Sequence, residues 1–177
     1  MSKWMGMVLV ACVGLAGCAA SVQRPTSVAD RLDIPPVATE EIHLLVQTSP
    51  EHQRAEDWEA FRAEWRTAMA SATSAAGHRF VYLDAMPAQF EGPGTLVVVN
   101  VNDYRYLSQG ARLGLGVMTG NAYIDADATF YVLPQRTLVG TREYATTSTA
   151  WQGVFSAMTN KQVGAIAQEI LAEIDGR

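Results

Sequence analysis

Thr95-Leu96-Val97-Val98-Val99-Asn100-Val101-Asn102 is the run that decides the fold. It is rich in β-branched residues and continuously apolar rather than alternating, so it reads as a strand covered on both faces, at the centre of a sheet. Asp103-Tyr104-Arg105-Tyr106 follows directly and is left open as an extension of the same strand.

Downstream, residues 122–133 alternate. Ile124, Ala126, Ala128, Phe130 and Val132 fall on one side, and Tyr123, Asp125, Asp127, Thr129 and Tyr131 on the other, the pattern of a strand with one wet face. Pro134-Gln135-Arg136-Thr137 makes a turn, and residues 138–147, rich in threonine and carrying Tyr144, return as the second arm of a hairpin. Asp125 and Asp127, two residues apart on a strand, could bind a cation or share a proton; with no further oxygen ligands identifiable, a solvated sheet face is the stronger reading.

Upstream, residues 41–47 and 79–83 are short apolar runs of strand length. Between them Trp58, Phe61, Trp65, Ala68 or Met69, and Ala72 recur at helical spacing. Ser49 as cap, Pro50 at the first helical position and Glu51 in the first turn predict the start of this helix, and Gly77 predicts its end. A second helix is predicted from the stripe Val163, Ile166, Ala167, Ile170, Leu171 and Ile174, with Trp151, Phe155 and Met158 in a preceding turn or an earlier part of it. The sum is an α+β, two-layer domain with a mixed, largely antiparallel sheet of about five strands and two helices on one face.

The glycines of residues 110–120 invite comparison with a phosphate-binding loop. A dinucleotide fingerprint would require glycine where Thr119 stands, and the following residues alternate like a strand instead of opening a helix. A glycine-rich connection or bulged strand is the better account.

The chain begins with one basic residue, Lys3, an apolar run over residues 4–13, and Leu15-Ala16-Gly17-Cys18. The apolar stretch is short of the ~20 residues needed to cross a bilayer. This arrangement resembles the lipobox of bacterial lipoprotein signal peptides. The resemblance implies a signal peptide over residues 1–17, cleavage after Gly17, and acylation of Cys18 with chains such as palmitate. It also implies sorting to the outer membrane, periplasmic face, because Ala19 stands where an aspartate would signal inner-membrane retention. The expected segments are therefore 1–17, a lipidated tether 18–39 with Pro25, Pro35 and Pro36, and a single domain 40–177. An alternative for residues 32–34 is that they pack along the domain as an edge.

Loss of residues 1–17 removes Cys12, so the mature chain keeps only the acylated cysteine and forms no internal disulfide. Loss of Lys3 takes the formal net charge from −5 to about −6, opposite to the basic excess of a nucleic-acid binder. His43, His52 and His78 lack metal-ligand spacing, no nucleophile-elbow pattern occurs, and no cofactor motif is present, so the expectation is a non-enzyme without metal or cofactor.

Residues 110–132, with Arg112 between glycines, and Val163-Gly-Ala-Ile-Ala-Gln-Glu-Ile170 resemble a group of uncharacterised small proteobacterial lipoproteins, and more distantly the periplasmic domain of the curli secretion lipoprotein. The resemblance implies fold and envelope role, and supplies no catalytic residues. The leading expectation is an interaction or assembly module at the outer membrane, bound to the membrane through Cys18 and to an envelope protein partner. Tyr104, Arg105, Tyr106 and Arg112 are candidate contacts, since arginine and tyrosine are common interface anchors. Two alternatives stand: a small-molecule or glycan-binding lipoprotein with a pocket between sheet and helices, and a subunit of an oligomeric export assembly. A self-contained pore is disfavoured, since no strand pair is left over beyond those the sheet uses.

Overall fold

The computed structural model describes residues 22–23, 31–106, 122–147 and 158–176. In chain order the elements are β1 (Val22–Gln23), the one-turn helix α1 (Pro36–Thr39), β2 (Glu41–Thr48), a 3-10 turn (His52–Arg54), α2 (Trp58–Ala76), β3 (Arg79–Leu83), β4 (Gly94–Arg105), β5 (Tyr123–Leu133), β6 (Thr137–Thr147) and α3 (Met158–Asp175). The domain is a two-layer α+β arrangement, with α2 and α3 packed side by side on one face of a mixed sheet.

The sheet order is β1-β6-β5-β4-β2-β3. β2 runs parallel to both β3 and β4, and the remaining pairs are antiparallel. The parallel pair β2/β3 requires a crossover, which α2 provides. The antiparallel β5/β6 pair is the predicted hairpin, turning at residues 134–136 with Arg136 at φ 57°. Five strands are of ordinary length and β1 adds a two-residue sixth.

β4 holds the centre, as its composition requires. Val97, Val99 and Val101 enter the core beneath the helices, while Leu96 and Val98 join Leu45 and Leu133 in a smaller cluster on the opposite face. The connection from β3 to β4 carries Phe90 across that face to meet His43 edge-on at 5.4 Å. The main core sets Phe61, Trp65 and Met69 of α2 and Ile166 and Ile170 of α3 against Ile42, Leu44, Ile124 and Phe130, all fully buried. Each such side chain stabilises the fold by roughly 1.5–3 kcal/mol through its burial.

Two sequence expectations are corrected. The helix expected to start at Ser49–Pro50–Glu51 begins instead at Trp58. Ser49 Oγ accepts from the His52 backbone N–H at 3.3 Å and so caps the 3-10 turn. The extra residues let the chain climb from the sheet to the helix layer before Trp58 and Phe61 must pack. Gly77 ends the helix as expected, in the left-handed region at φ 83°, with the His78 N–H donating to Thr73 O at 3.0 Å.

The second correction concerns residues 31–39 alone. Of the two readings left open for residues 32–34, the packed one is observed. Leu32 is buried in the main core and Ile34 packs against it. Ala38 is fully buried, and its carbonyl accepts from Thr95 Oγ1 at 2.8 Å. The β4 extension through Arg105 is also realised. Among the described residues no helix is long and apolar enough to cross a membrane.

Candidate functional site

Among the described residues, the most chemically varied part is the sheet end where β4 finishes and β5 begins. The β4/β5 register shifts between Val101 and Asp103, and this irregularity turns Tyr104 toward the helices. Its ring lies parallel over Phe61 with centroids 4.4 Å apart, tilted beside Trp58 at 5.9 Å and edge-on to His52 at 5.7 Å. The Tyr104 hydroxyl donates to Asp57 Oδ1 at 2.8 Å. Burial, then this bond and the Asp57 charge, push the phenol well above its ordinary range. Tyr106, edge-on to Phe61 at 6.3 Å, is also raised, by burial and by the Glu64 and Asp57 charges.

The sequence-derived contact residues therefore separate. Tyr104 and Tyr106 are half-buried and turned toward α2. Arg105 is exposed, opposite Tyr123 in the register. Arg112 and Cys18 lie outside the described residues. Asp57 and His52 complete the Tyr104 surroundings, a grouping that a helix start expected eight residues too early does not bring together.

On the face away from the helices, a polar row crosses four strands: Gln47, Asn100, Asp127 and Glu143 are successive register partners. Gln47 donates to Asn100, and Asn102 donates to Asp127 Oδ2 at 3.0 Å. Toward the sheet end Asp103 faces Asp125, and Tyr123 donates to Asp103 Oδ2 at 3.0 Å. That bond, followed by burial and the Asp103 charge, raises the Tyr123 phenol despite the opposing effect of Arg105. Two directly opposed carboxylate pairs, Asp103/Asp125 and Asp127/Glu143, are unfavourable within a sheet and make this half of the face acidic. The alternation expected for Asp125 and Asp127 is thus observed, and among the described residues no group of three or more His, Cys, Asp or Glu side chains could hold a metal ion.

The space between sheet and helices, where a ligand pocket was expected under one alternative, is filled by the fully buried side chains of the core. Two concavities formed by described residues lie at the surface. A cleft of about 360 Å³ opens between β2 and the start of α2, with Gln47, Trp58, Arg62 and Asp84 among its walls. Arg62 is engaged there, donating to Tyr82 Oη at 3.1 Å and to Asp84 Oδ1 at 3.1 Å. Another, of about 410 Å³, lies between residues 31–39 and the end of α3.

The three histidines lie apart from one another. His43 Nε2 is 2.9 Å from Glu41 Oε1, His52 lies beside Tyr104, and His78 Nε2 is 3.0 Å from Asp175 Oδ1, joining the ends of α2 and α3.

By sequence, no family matches the chain and no curated protein matches it. Solved structures do. The chain is similar to a PelC dodecamer from Paraburkholderia phytofirmans, with a TM-score of 0.51 and 9% identity over 86% of this chain and 97% of that one. A single-substitution variant of that dodecamer gives 0.50 and 8% over the same shares. Protein XCC0632 from Xanthomonas campestris, of family DUF330, gives 0.47 and 9%, covering 86% of this chain and 90% of that one. At such identities the PelC likeness establishes a shared fold.

Proposed function

We propose that this protein is a non-enzymatic assembly module of the bacterial envelope, held at the periplasmic face of the outer membrane by acyl chains on Cys18. It associates with further copies of itself, or with an envelope protein partner, through the face of the sheet that the helices leave uncovered. The observation that carries this reading is the polar row Gln47, Asn100, Asp127 and Glu143, a broad face held in register by the strands in which the carboxylates Asp127 and Glu143 stand directly opposite one another. A neighbouring surface with complementary donors or cations would relieve that opposition. The PelC structures of similar fold are dodecamers, which supports an oligomeric reading for this chain too. Anchoring adds to this, because a lipid tail confines copies to one surface and raises their effective concentration.

The test is crosslinking of the full-length protein in its own envelope, followed by gentle extraction and mass spectrometry, with Cys18→Ala as the anchor control. Self-crosslinked species, or one reproducible partner, should appear and should weaken when Asp127 and Glu143 are both changed to Arg. Recovery of the acylated protein as a lone monomer would overturn the assembly reading.

A further inference from the structure

We infer that the acyl chains on Cys18 hold this domain end-on against the bilayer. The sheet end bearing Arg105, Tyr123 and Thr147 faces the lipid headgroups, and the 134–136 hairpin points away. The inference rests on the anchor reading proposed above and adds which end of the sheet lies nearer the membrane.

The argument starts from β1. Val22 pairs with Thr146 and Gln23 with Ala145, antiparallel. The chain therefore joins the β6 edge from the Thr147 end and runs toward the hairpin. Only four residue steps separate Cys18 from Val22, and fully extended these span at most about 14 Å. A second attachment follows at Leu32, which is buried against the core at the β6 residue Gly140. The chain from Cys18 to its first pairing on the sheet is thus four residue steps long, where residues 18–39 as a flexible tether would have allowed roughly 60–70 Å of reach.

A leash that short fixes which end is near the lipid. β5 has eleven residues between Tyr123 and Leu133, a length of roughly 37 Å at ~3.4 Å per residue. That is more than twice the leash. Both long helices begin at the anchored end: Gln162 of α3 donates to Ala122 O at 3.0 Å, and Trp58 of α2 lies against Tyr104. Tyr123 lies there as well, opposite the exposed Arg105 in the register. A ring with an apolar body and a polar tip suits the boundary between headgroups and water.

The experiment uses the processed, acylated full-length protein. Its two native cysteines are Cys12, lost with the signal peptide, and Cys18, blocked by the lipid. A single introduced cysteine is then a unique label site. Lys161→Cys, exposed near the start of α3, reports the anchored end, and Gln135→Cys, exposed in the hairpin, reports the far end. Each is labelled with a donor fluorophore and reconstituted in phosphatidylethanolamine/phosphatidylglycerol vesicles carrying an acceptor on the headgroups. Energy transfer should be several-fold more efficient from position 161 than from position 135. A Gly-Ser insertion between Ala20 and Ser21 should shrink that difference while leaving the circular dichroism unchanged. Equal or reversed transfer in protein that is acylated and membrane-bound would overturn the orientation and leave the anchor standing. Protein found unacylated and washed off the vesicles would overturn both.

Discussion

Tyr104 lies parallel over Phe61 at 4.4 Å between ring centroids, and the same tyrosine closes on Asp57 through its hydroxyl at 2.8 Å. One side chain thereby joins the end of the central strand to the start of the first long helix. Tyr104→Phe keeps the stack and loses the hydrogen bond, and should lower stability by about 1 kcal/mol. Tyr104→Ala also loses the ring contacts and should cost about 2–3 kcal/mol. Urea unfolding of the two variants beside the parent protein checks the order.

The same phenol gives the protein an alkaline limit. Its pKa is raised from the ordinary value near 10, so the folded state keeps a proton that the unfolded state gives up. Where the unfolded chain binds fewer protons, stability falls with rising pH. The contribution is complete below pH ~10 and is lost as pH climbs toward the folded value. Tyr106 adds in the same direction. Unfolding midpoints measured from pH 8 upward should decline beyond about pH 10, and less steeply in Tyr104→Phe.

Leu32 and Gly140 test where the domain begins. A Cβ placed on Gly140 would stand 2.7 Å from Leu32 Cδ2, so Gly140→Ala should displace Leu32 and cost roughly 1–3 kcal/mol. In a Leu32→Ala background the clash is gone and the cost should largely vanish, a non-additivity that a double-mutant cycle measures. Additive effects would show that residues 31–34 do not pack on β6 in solution.

Arg142 and Glu173 join β6 to α3. Arg142 Nε donates to Glu173 Oε2 at 3.0 Å, and each side chain keeps only 13% of its surface exposed. Removing one partner takes a charge-assisted hydrogen bond out of a poorly solvated place, so Glu173→Gln or Arg142→Ala should each destabilise by about 1.5–3 kcal/mol. The double variant should cost less than the sum of the two, as read from thermal unfolding.

The sequence by itself determined the secondary elements whose burial is periodic. The β-branched run at 95–101, the alternation from Tyr123 to Phe130 and the stripes Trp58/Phe61/Trp65 and Val163/Ile166/Ile170 each announce the face they bury, because one side chain every two or every 3.6 residues is the direct imprint of a single core. Gly77 was legible for a similar local reason, as the left-handed residue that ends a helix. What remained hidden depends on residues distant in the chain. The start of α2 moved to Trp58 because capping residues at 49–51 were taken by a 3-10 turn that the climb between layers required. Leu32 and Ala38 carry no periodic signal, and only the position of β6 and β4 beside them makes them core. The pairing of β1 with the end of β6 is likewise invisible to local pattern, since two residues form no repeat. Asp127 reads as an ordinary wet-face carboxylate, and only strand register sets it opposite Glu143. Local spacing encodes which face is buried; which surfaces meet is decided by long-range packing.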